Sequence, residues 1–291
     1  MKRILIRISK IIGILLLFLY VTICALFYFN QEKFGFHPTK LATDYEYDFK
    51  GNFEEIILKT EDGVTINNLL FKADSSKGVV FYLHGNSGSL KQVEKRAAFY
   101  TSLGYDYFRA DYRGYNKSEG SINSESQLHQ DNQMLYDDVK KRYLEDNIIV
   151  IGHSLGGALA AKLASANNPK HLVLTAPFCG GKAYKKPPKK EGEKSLISKV
   201  FKILPMKILL KYTLKTNEFL PNCKMPVLIF HGNTDKGIGS SIKLKEDFKP
   251  EDRLVILEGQ GHSGISDNPI FQKEMKILLE KQKRTQNTVS N

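Results

Sequence analysis

Residues 148–161 read Ile148-Ile149-Val150-Ile151-Gly152-His153-Ser154-Leu155-Gly156-Gly157-Ala158-Leu159-Ala160-Ala161. The first four are β-branched and apolar without alternation, as expected of a strand covered on both faces of a sheet. From Leu155 onward the residues are small, apolar and helix-forming. Between the two runs Gly152, Ser154 and Gly156 fit G-x-S-x-G. Three fixed positions recur by chance in about one chain in ten of this length, so the strand before and the helix after carry the weight. A strand-to-helix turn this tight strains its middle residue, and side chains at the flanking glycines would strike neighbouring backbone. It lifts the serine hydroxyl clear of the sheet, and Ser154 is the predicted nucleophile.

Outward from this elbow the pattern alternates strand and helix. Phe53 to Thr60 and Val64 to Lys72 flank Glu61-Asp62-Gly63, a hairpin signal. Apolar runs at Gly78–Leu83, Tyr105–Ala110, Asn147–Gly152, His171–Thr175, Pro226–His231 and Arg253–Leu257 predict further strands. Helices are expected near 89–103, 124–145, 155–166, 239–248 and 269–283. Two antiparallel leading strands followed by repeated βα units predict an α/β fold on a doubly wound, mostly parallel sheet. The rhythm breaks at 178–222, which reads as a helical lid insertion between the nucleophile and acid strands. Within it Leu196 to Leu214 reads as an amphipathic helix interrupted by Pro205.

A nucleophilic serine needs a base, and the base needs an orienting carboxylate. On such a sheet they follow in the order Ser, Asp or Glu, His. Asp235 closes His231-Gly232-Asn233-Thr234-Asp235, just past an expected strand, and His262 lies in the glycine-rich loop after the next one. Among the seven histidines, His37 and His129 lack strand-end context and His171 starts a strand at the wrong edge. His153 is expected to point away from Ser154, and His84 and His231 to pack or hydrogen-bond. Asp247, Asp252 and Asp267 are the competing acids. The oxyanion needs two backbone N–H donors. One is the amide of Leu155, and the other is placed at Asn86 in His84-Gly85-Asn86-Ser87-Gly88. The charged residues of Asp111 to Gly120 are expected to brace loops.

The motifs His84-Gly85-Asn86, Asp111 to Gly120, Gly152 to Gly157, His231 to Asp235 and Gly259-Gln260-Gly261-His262 together resemble the α/β-hydrolase superfamily. Within it the chain is similar to the single-pass, membrane-anchored α/β-hydrolase-domain proteins of the bud-emergence type. The resemblance runs from about residue 34 to 280 and includes Phe36-His37-Pro38-Thr39. It implies the α/β-hydrolase fold and a triad on Ser154, Asp235 and His262, in agreement with the reading from spacing. Lys236-Gly237-Ile238-Gly239 stands where the family usually has a valine- or isoleucine-proline turn. The family is described variously as esterases, acyl-protein thioesterases and peptidase-like proteins.

Ile11 to Phe29 is 19 residues without a charge, and at helical rise it spans about 28 Å, the thickness of a bilayer core. It ends in bulky residues, unlike a signal-peptide cleavage site, and shows no polar face. Lys2, Arg3, Arg7 and Lys10 precede it with no acid among the first ten residues. The positive-inside rule then predicts a type II signal-anchor at 1–33, with a catalytic domain at 34–283 that is periplasmic or lumenal. Residues 284–291 read as a disordered tail.

The net charge of +12 suggests nucleic acid only until its distribution is read. It sits mostly on the N-terminus and on eight lysines between Lys182 and Lys202, without a zinc-finger, helix-turn-helix or RNP-like pattern. No nucleic-acid partner is expected. Lys185, Lys186, Lys189 and Lys190 could instead meet anionic lipid or an acidic substrate. Three cysteines cannot build a disulfide framework. Cys179 and Cys223 are expected at opposite edges of the sheet as free thiols. No metal or cofactor is implied.

The sequence thus predicts a serine hydrolase acting on an ester, thioester or related acyl bond of a small ester, a lipid or an acylated protein. Peptide-amide hydrolysis is the nearest alternative. A non-catalytic membrane-tethered binding module is the alternative of another class, and it would need a broken triad or a blocked oxyanion site.

Overall fold

A computed structural model describes residues 2–180 and 204–280. Most of the expected lid, including Lys185, Lys186, Lys189 and Lys190, lies outside the described residues, as does the tail 284–291.

The sheet has eight strands: β1 (Phe53–Lys59), β2 (Thr65–Phe71), β3 (Val79–Leu83), β4 (Asp106–Ala110), β5 (Ile148–His153), β6 (His171–Thr175), β7 (Val227–Gly232) and β8 (Arg253–Leu257). Their order is β1-β2-β4-β3-β5-β6-β7-β8. The β1–β2 and β2–β4 pairs are antiparallel, and every other pair is parallel. This is the predicted doubly wound, mostly parallel α/β sheet of the α/β-hydrolase fold. The chain leaves β3 for β4 on one side and places β5 on the other. The strand order therefore reverses between β3 and β5, where such sheets open a crevice at their carboxyl ends.

Uniformly apolar strands sit at the centre because helices cover both faces. Every side chain of β3 is buried, as are Ile148 to Gly152 of β5. One core layer joins the sheet to α4 (Glu125–Arg142) through Leu128, Leu135, Tyr136 and Val139, and to α5 (Leu155–Ala166) through Leu159 and Leu163. Phe81 stacks on Phe108 in this layer, centroids 5.3 Å apart, a pair worth about 0.5–1.5 kcal/mol beyond its burial. The opposite layer takes Val93, Ala97 and Tyr100 from α3 (Val93–Ser102) and Phe271, Met275 and Leu279 from the C-terminal helix (Pro269–Glu280). The four-residue spacing of those last three puts them on one helix face.

Helix α4 starts where Ser124 Oγ accepts the Gln127 N–H at 3.1 Å and ends on Lys140, Lys141 and Arg142, which face the negative end of its dipole. Helix α3 begins at Val93 rather than near 89. Gly88 there adopts φ +61°, and Val93 N–H closes a turn on Leu90 O.

Two regions depart from the sequence reading. The helix expected over Leu196–Leu214 is, among the described residues, only a short turn at Met206–Leu209. Beyond it Leu214 takes φ +43°, and Glu125 accepts the Thr213 and Leu214 N–H groups. That carboxylate satisfies donors a longer helix would have satisfied internally. At the N-terminus, α1 (Lys2–Phe29) includes the basic residues and is followed at once by α2 (Gln31–Gly35). Helix α1 is long and apolar enough to cross a membrane, and none of its apolar window is buried. A core helix would bury a face. The uncovered apolar surface marks the chain as a membrane protein.

Cys179 and Cys223 are buried free thiols. Cys179 packs beyond β6 against Pro177 O, and Cys223 packs ahead of β7 against Ala161 O and Phe219 O. Burial pushes both thiols up to about 12, which removes thiolate reactivity.

Candidate active site

Ser154 lies between β5 and α5 with φ +53°, ψ −115°. A non-glycine residue holds this conformation only when its surroundings over-determine it. Here the backbone does so: Ser154 N–H donates to Thr175 O at 3.0 Å, and Ser154 O accepts from Gly157 and Phe178 N–H at 3.0 and 2.9 Å. A Cβ on Gly152 would sit 2.2 Å from Gly156 O, and one on Gly156 would sit 2.1 Å from Leu83 O. The two glycines of the motif are thus needed to seat the elbow against β3. The Ser154 side chain makes no helix cap, which leaves Oγ for another partner.

That partner is His262. Its Nε2 lies 2.9 Å from Ser154 Oγ, and its Nδ1 lies 2.7 Å from Asp235 Oδ2. With the Nδ1 proton directed at the carboxylate, Nε2 can accept the serine proton. Asp235 follows β7 and His262 follows β8. The two loops sit flush because Gly232 has no side chain: a Cβ there would lie 2.1 Å from Gln260 O. Thr234 N–H and Oγ1 both donate to Gln260 O, at 3.1 and 2.8 Å. Gly237 N–H donates to Asp235 Oδ1 at 2.9 Å. Burial alone would raise the Asp235 carboxyl, but that N–H and the His262 and His231 rings outweigh it and hold the group below the usual carboxylate range. The donor belongs to the Lys236–Gly237 turn, where the chain departs from the family's usual pattern. The competing acids lie elsewhere: Asp252 binds Lys249 and the Val227 N–H, and Asp267 binds Lys95.

Asn86 and Leu155 both border the space around Ser154, and neither backbone N–H is spent on a hydrogen bond among the described residues. The Asn86 loop is fixed from behind. Asn86 O accepts from Tyr115 OH at 2.6 Å and from His37 N–H at 3.1 Å. The peptide that carries the Asn86 N–H has its carbonyl, Gly85 O, held 2.7 Å from His84 Nδ1, while His84 Nε2 lies 2.8 Å from Asp111 Oδ1. Asp111 in turn takes Asn116 Nδ2 at 2.8 Å and faces Arg109 at 3.5 Å. The Asp111–Gly120 loop therefore braces the site, as its charge pattern suggests. Arg113 continues this with forked contacts to Asp62 and Asp131.

One residue differs from the sequence reading, and a second does what that reading expects and more. His153 does not face away from the serine. It lines the same cavity as Ser154 and His262, its ring 5.3 Å from that of His262. At the last position of β5 the strand is already turning, so strict alternation no longer sets its direction. Burial and the neighbouring His262 ring push its imidazole down to about 3, so it stays neutral. His231 is buried and bonded to Ser241 Oγ at 2.6 Å, but its Nε2 also lies 3.0 Å from Asp235 Oδ2. The spacing His231-x-x-x-Asp235 was the available signal.

Two cavities meet at Ser154. One, of about 300 Å³, is mixed and carries the charged and polar groups, with Lys91, Gln92, Arg96 and Ser266 in its wall beside Tyr82 and Phe271. The other, of about 250 Å³, is largely aromatic and aliphatic and ends on Asn86, Ser154 and Leu155.

The profile of a family described as "Serine aminopeptidase, S33" matches residues 74–219, half of the chain. This stretch holds Asn86, Ser154 and Leu155 and stops short of Asp235 and His262. Protein bem46 of Schizosaccharomyces pombe is 32% identical over 133 residues, 44% of this chain and 44% of that protein. The lysophosphatidylserine lipase ABHD12 of Danio rerio is 30% identical over 177 residues, 55% of this chain and 44% of that one. The matched part of the chain thus spans less than half the length of these relatives. Among solved structures, the esterase Pf2001 of Pyrococcus furiosus superposes with a TM-score of 0.64 at 19% identity, over 84% of this chain and 96% of that one. An α/β hydrolase of Vibrio vulnificus gives 0.63 at 20% identity, over 79% and 81%. At these identities the likeness shows a shared fold.

Proposed function

From the premise that this chain belongs to the α/β-hydrolase family described as serine aminopeptidase S33, we propose that it hydrolyses carboxylic esters through Ser154, His262 and Asp235. The observation that carries the reading is the unbroken hydrogen-bonded line from Ser154 Oγ through His262 to Asp235 Oδ2. Ser154 Oγ attacks the ester carbonyl carbon as His262 Nε2 takes its proton, and Asp235 stabilises the imidazolium. The Asn86 and Leu155 amides hold the oxyanion. The carbon–oxygen bond to the alcohol then breaks, and His262 returns the proton to the departing oxygen. Water, deprotonated by His262, attacks the acyl-enzyme, which releases the acid and restores the Ser154 hydroxyl.

The family description favours a second reading, cleavage of a peptide amide. An aminopeptidase must hold a substrate ammonium, for which a carboxylate is the suitable partner. The mixed cavity beside Ser154 has Lys91 and Arg96 in its wall and, among the described residues, no Asp or Glu. That charge disfavours a substrate ammonium and supports the ester reading over aminopeptidase cleavage. The lipase among the relatives points the same way. The membrane-tethered binding module would need a disrupted Ser–His–Asp line, and this one is continuous.

A fluorophosphonate probe tests the chemistry on the purified full-length chain. Wild type should be labelled at Ser154 and Ser154→Ala should not. Absent labelling of wild type, or equal labelling of the variant, overturns the reading. Residues 1–33 are assigned as a type II signal-anchor, because Lys2, Arg3, Arg7 and Lys10 precede the span, and residues 34–283 as the catalytic domain beyond the cytoplasm. In sealed inside-out vesicles that domain should resist added protease. Digestion of the domain in intact vesicles would reverse the orientation.

A further inference from the structure

The apolar cavity at Ser154 has an unexpected wall. Phe27 from the last turn of α1, Phe34 from α2 and Phe36 just after α2 line it together with Phe178, Leu210 and Leu214. The membrane helix and the active site therefore share a surface. We propose that the foot of the anchor, residues 27–36, forms one side of an acyl-binding cavity. The enzyme then takes the fatty acyl ester of a bilayer lipid with its chain in this cavity and its polar leaving group in the Lys91–Arg96 chamber. The inference rests on the assignment of Ser154 as nucleophile.

A carbonyl held at Ser154 must send its acyl and alkoxy portions in different directions, and two cavities meet there, one more apolar than the other. Their polarities assign the portions: hydrocarbon goes to the aromatic cavity and the hydrated alcohol to the one with two cationic side chains. At about 30 Å³ for a water-sized group, 250 Å³ holds roughly the first eight methylenes of a chain, and the rest of a longer one would extend past the rim. At the rim stands Phe34, a residue 69% exposed, five residues beyond the end of the membrane helix. A chain drawn from the bilayer would pass this rim without crossing bulk water.

The foot is fixed to the opposite wall by directional bonds. Gln31 Nε2 donates to Leu209 O at 2.7 Å, and Gln31 Oε1 accepts from Lys211 N–H at 2.9 Å. Glu32 Oε1 takes Lys211 Nζ and Tyr212 OH, both at 2.9 Å. Phe36 packs edge-on against Tyr212 at 5.0 Å, and Lys211 Nζ stands 5.0 Å over the Tyr28 ring. Residues 209–212 and 28–36 are thus clasped together, and their apolar side chains enclose the space in front of the oxyanion amides. A helix that served only to tether the domain would need none of these contacts.

The test uses full-length protein in phosphatidylcholine vesicles and the ratio of kcat/KM for p-nitrophenyl dodecanoate to that for the acetate. Wild type should favour dodecanoate at least tenfold. Leu210→Trp, which fills the cavity, should lower the ratio at least tenfold. Phe34→Asp, at an exposed position outside the core, should lower it in the same direction and decides the matter if Leu210→Trp does not fold. A ratio within twofold of wild type in both variants overturns the proposal. A second measurement needs no catalysis. The chain has no tryptophan, so Phe34→Trp in a Ser154→Ala background provides a sole reporter, which brominated dodecanoate should quench saturably. Quenching that rises linearly with ligand, as in simple partition, overturns the proposal. If wild type cleaves neither ester while quenching saturates, the esterase reading fails and the cavity assignment stands.

Discussion

Ser154 and His262 are separated by one hydrogen bond, yet the chain holds them in different ways. In the proposed mechanism Ser154 is the nucleophile, and it is locked by main chain. Its N–H and C=O are both bonded, its φ is forced to +53°, and the glycines beside it touch backbone that cannot move without shifting β3. His262, the base in that mechanism, is held by side chains and adjacent loops, and 48% of its side chain remains exposed. The contrast separates two requirements. The nucleophile must be aimed at one point beside the oxyanion amides, which rigid backbone achieves. The base must change partners during turnover, from serine to leaving group to water, and a loop gives it that freedom.

The largest test of this contrast is Asp235→Asn. It preserves the shape of the base side but presents an N–H where His262 needs an acceptor, and it turns the imidazole to the wrong tautomer. Activity should fall by about 10⁴-fold with the melting temperature little changed; a loss under tenfold would mean that the loops alone align His262. Next come paired glycine substitutions. Gly156→Ala forces a Cβ to 2.1 Å from Leu83 O and should cost about 3 kcal/mol or more in denaturant unfolding, at the upper end of overpacking. Gly261→Ala, beside His262, meets nothing nearer than Thr234 Oγ1 at 3.8 Å and should change stability by under about 0.5 kcal/mol. Similar costs at the two positions would erase the distinction between locked backbone and adjustable loop.

The locked half was also the half most legible in the sequence. Ile148 to Ile151 could be read as a central strand because both its faces are buried, and the glycines around Ser154 because only a tight turn needs them there. The apolar runs Val79–Leu83 and Val227–Phe230 were legible for the same reason. What escaped was contact between distant segments. Glu32 and Lys33 look like a cancelling pair, whereas Glu32 bonds Lys211 and Tyr212, and no periodicity connects positions 179 and 180 residues apart. Leu196–Leu214 carries a helical apolar pattern, but Leu210 and Leu214 use their apolarity to line a cavity. His153 was misjudged because alternation fails in the last residue of a strand that is already bending.

The clasp at Gln31 and Glu32 has a mechanical consequence. A free linker over residues 30–36 would let the domain wander by about 14 Å, taking 5–6 Å times the square root of its length. Here α1 passes into α2 through Asn30 alone, and Phe36 is already core. Helical phase becomes domain orientation: each residue added at this junction would lift the catalytic face by about 1.5 Å and turn it by about 100°. The junction length is therefore under the same geometric constraint as the Ser154–His262–Asp235 line.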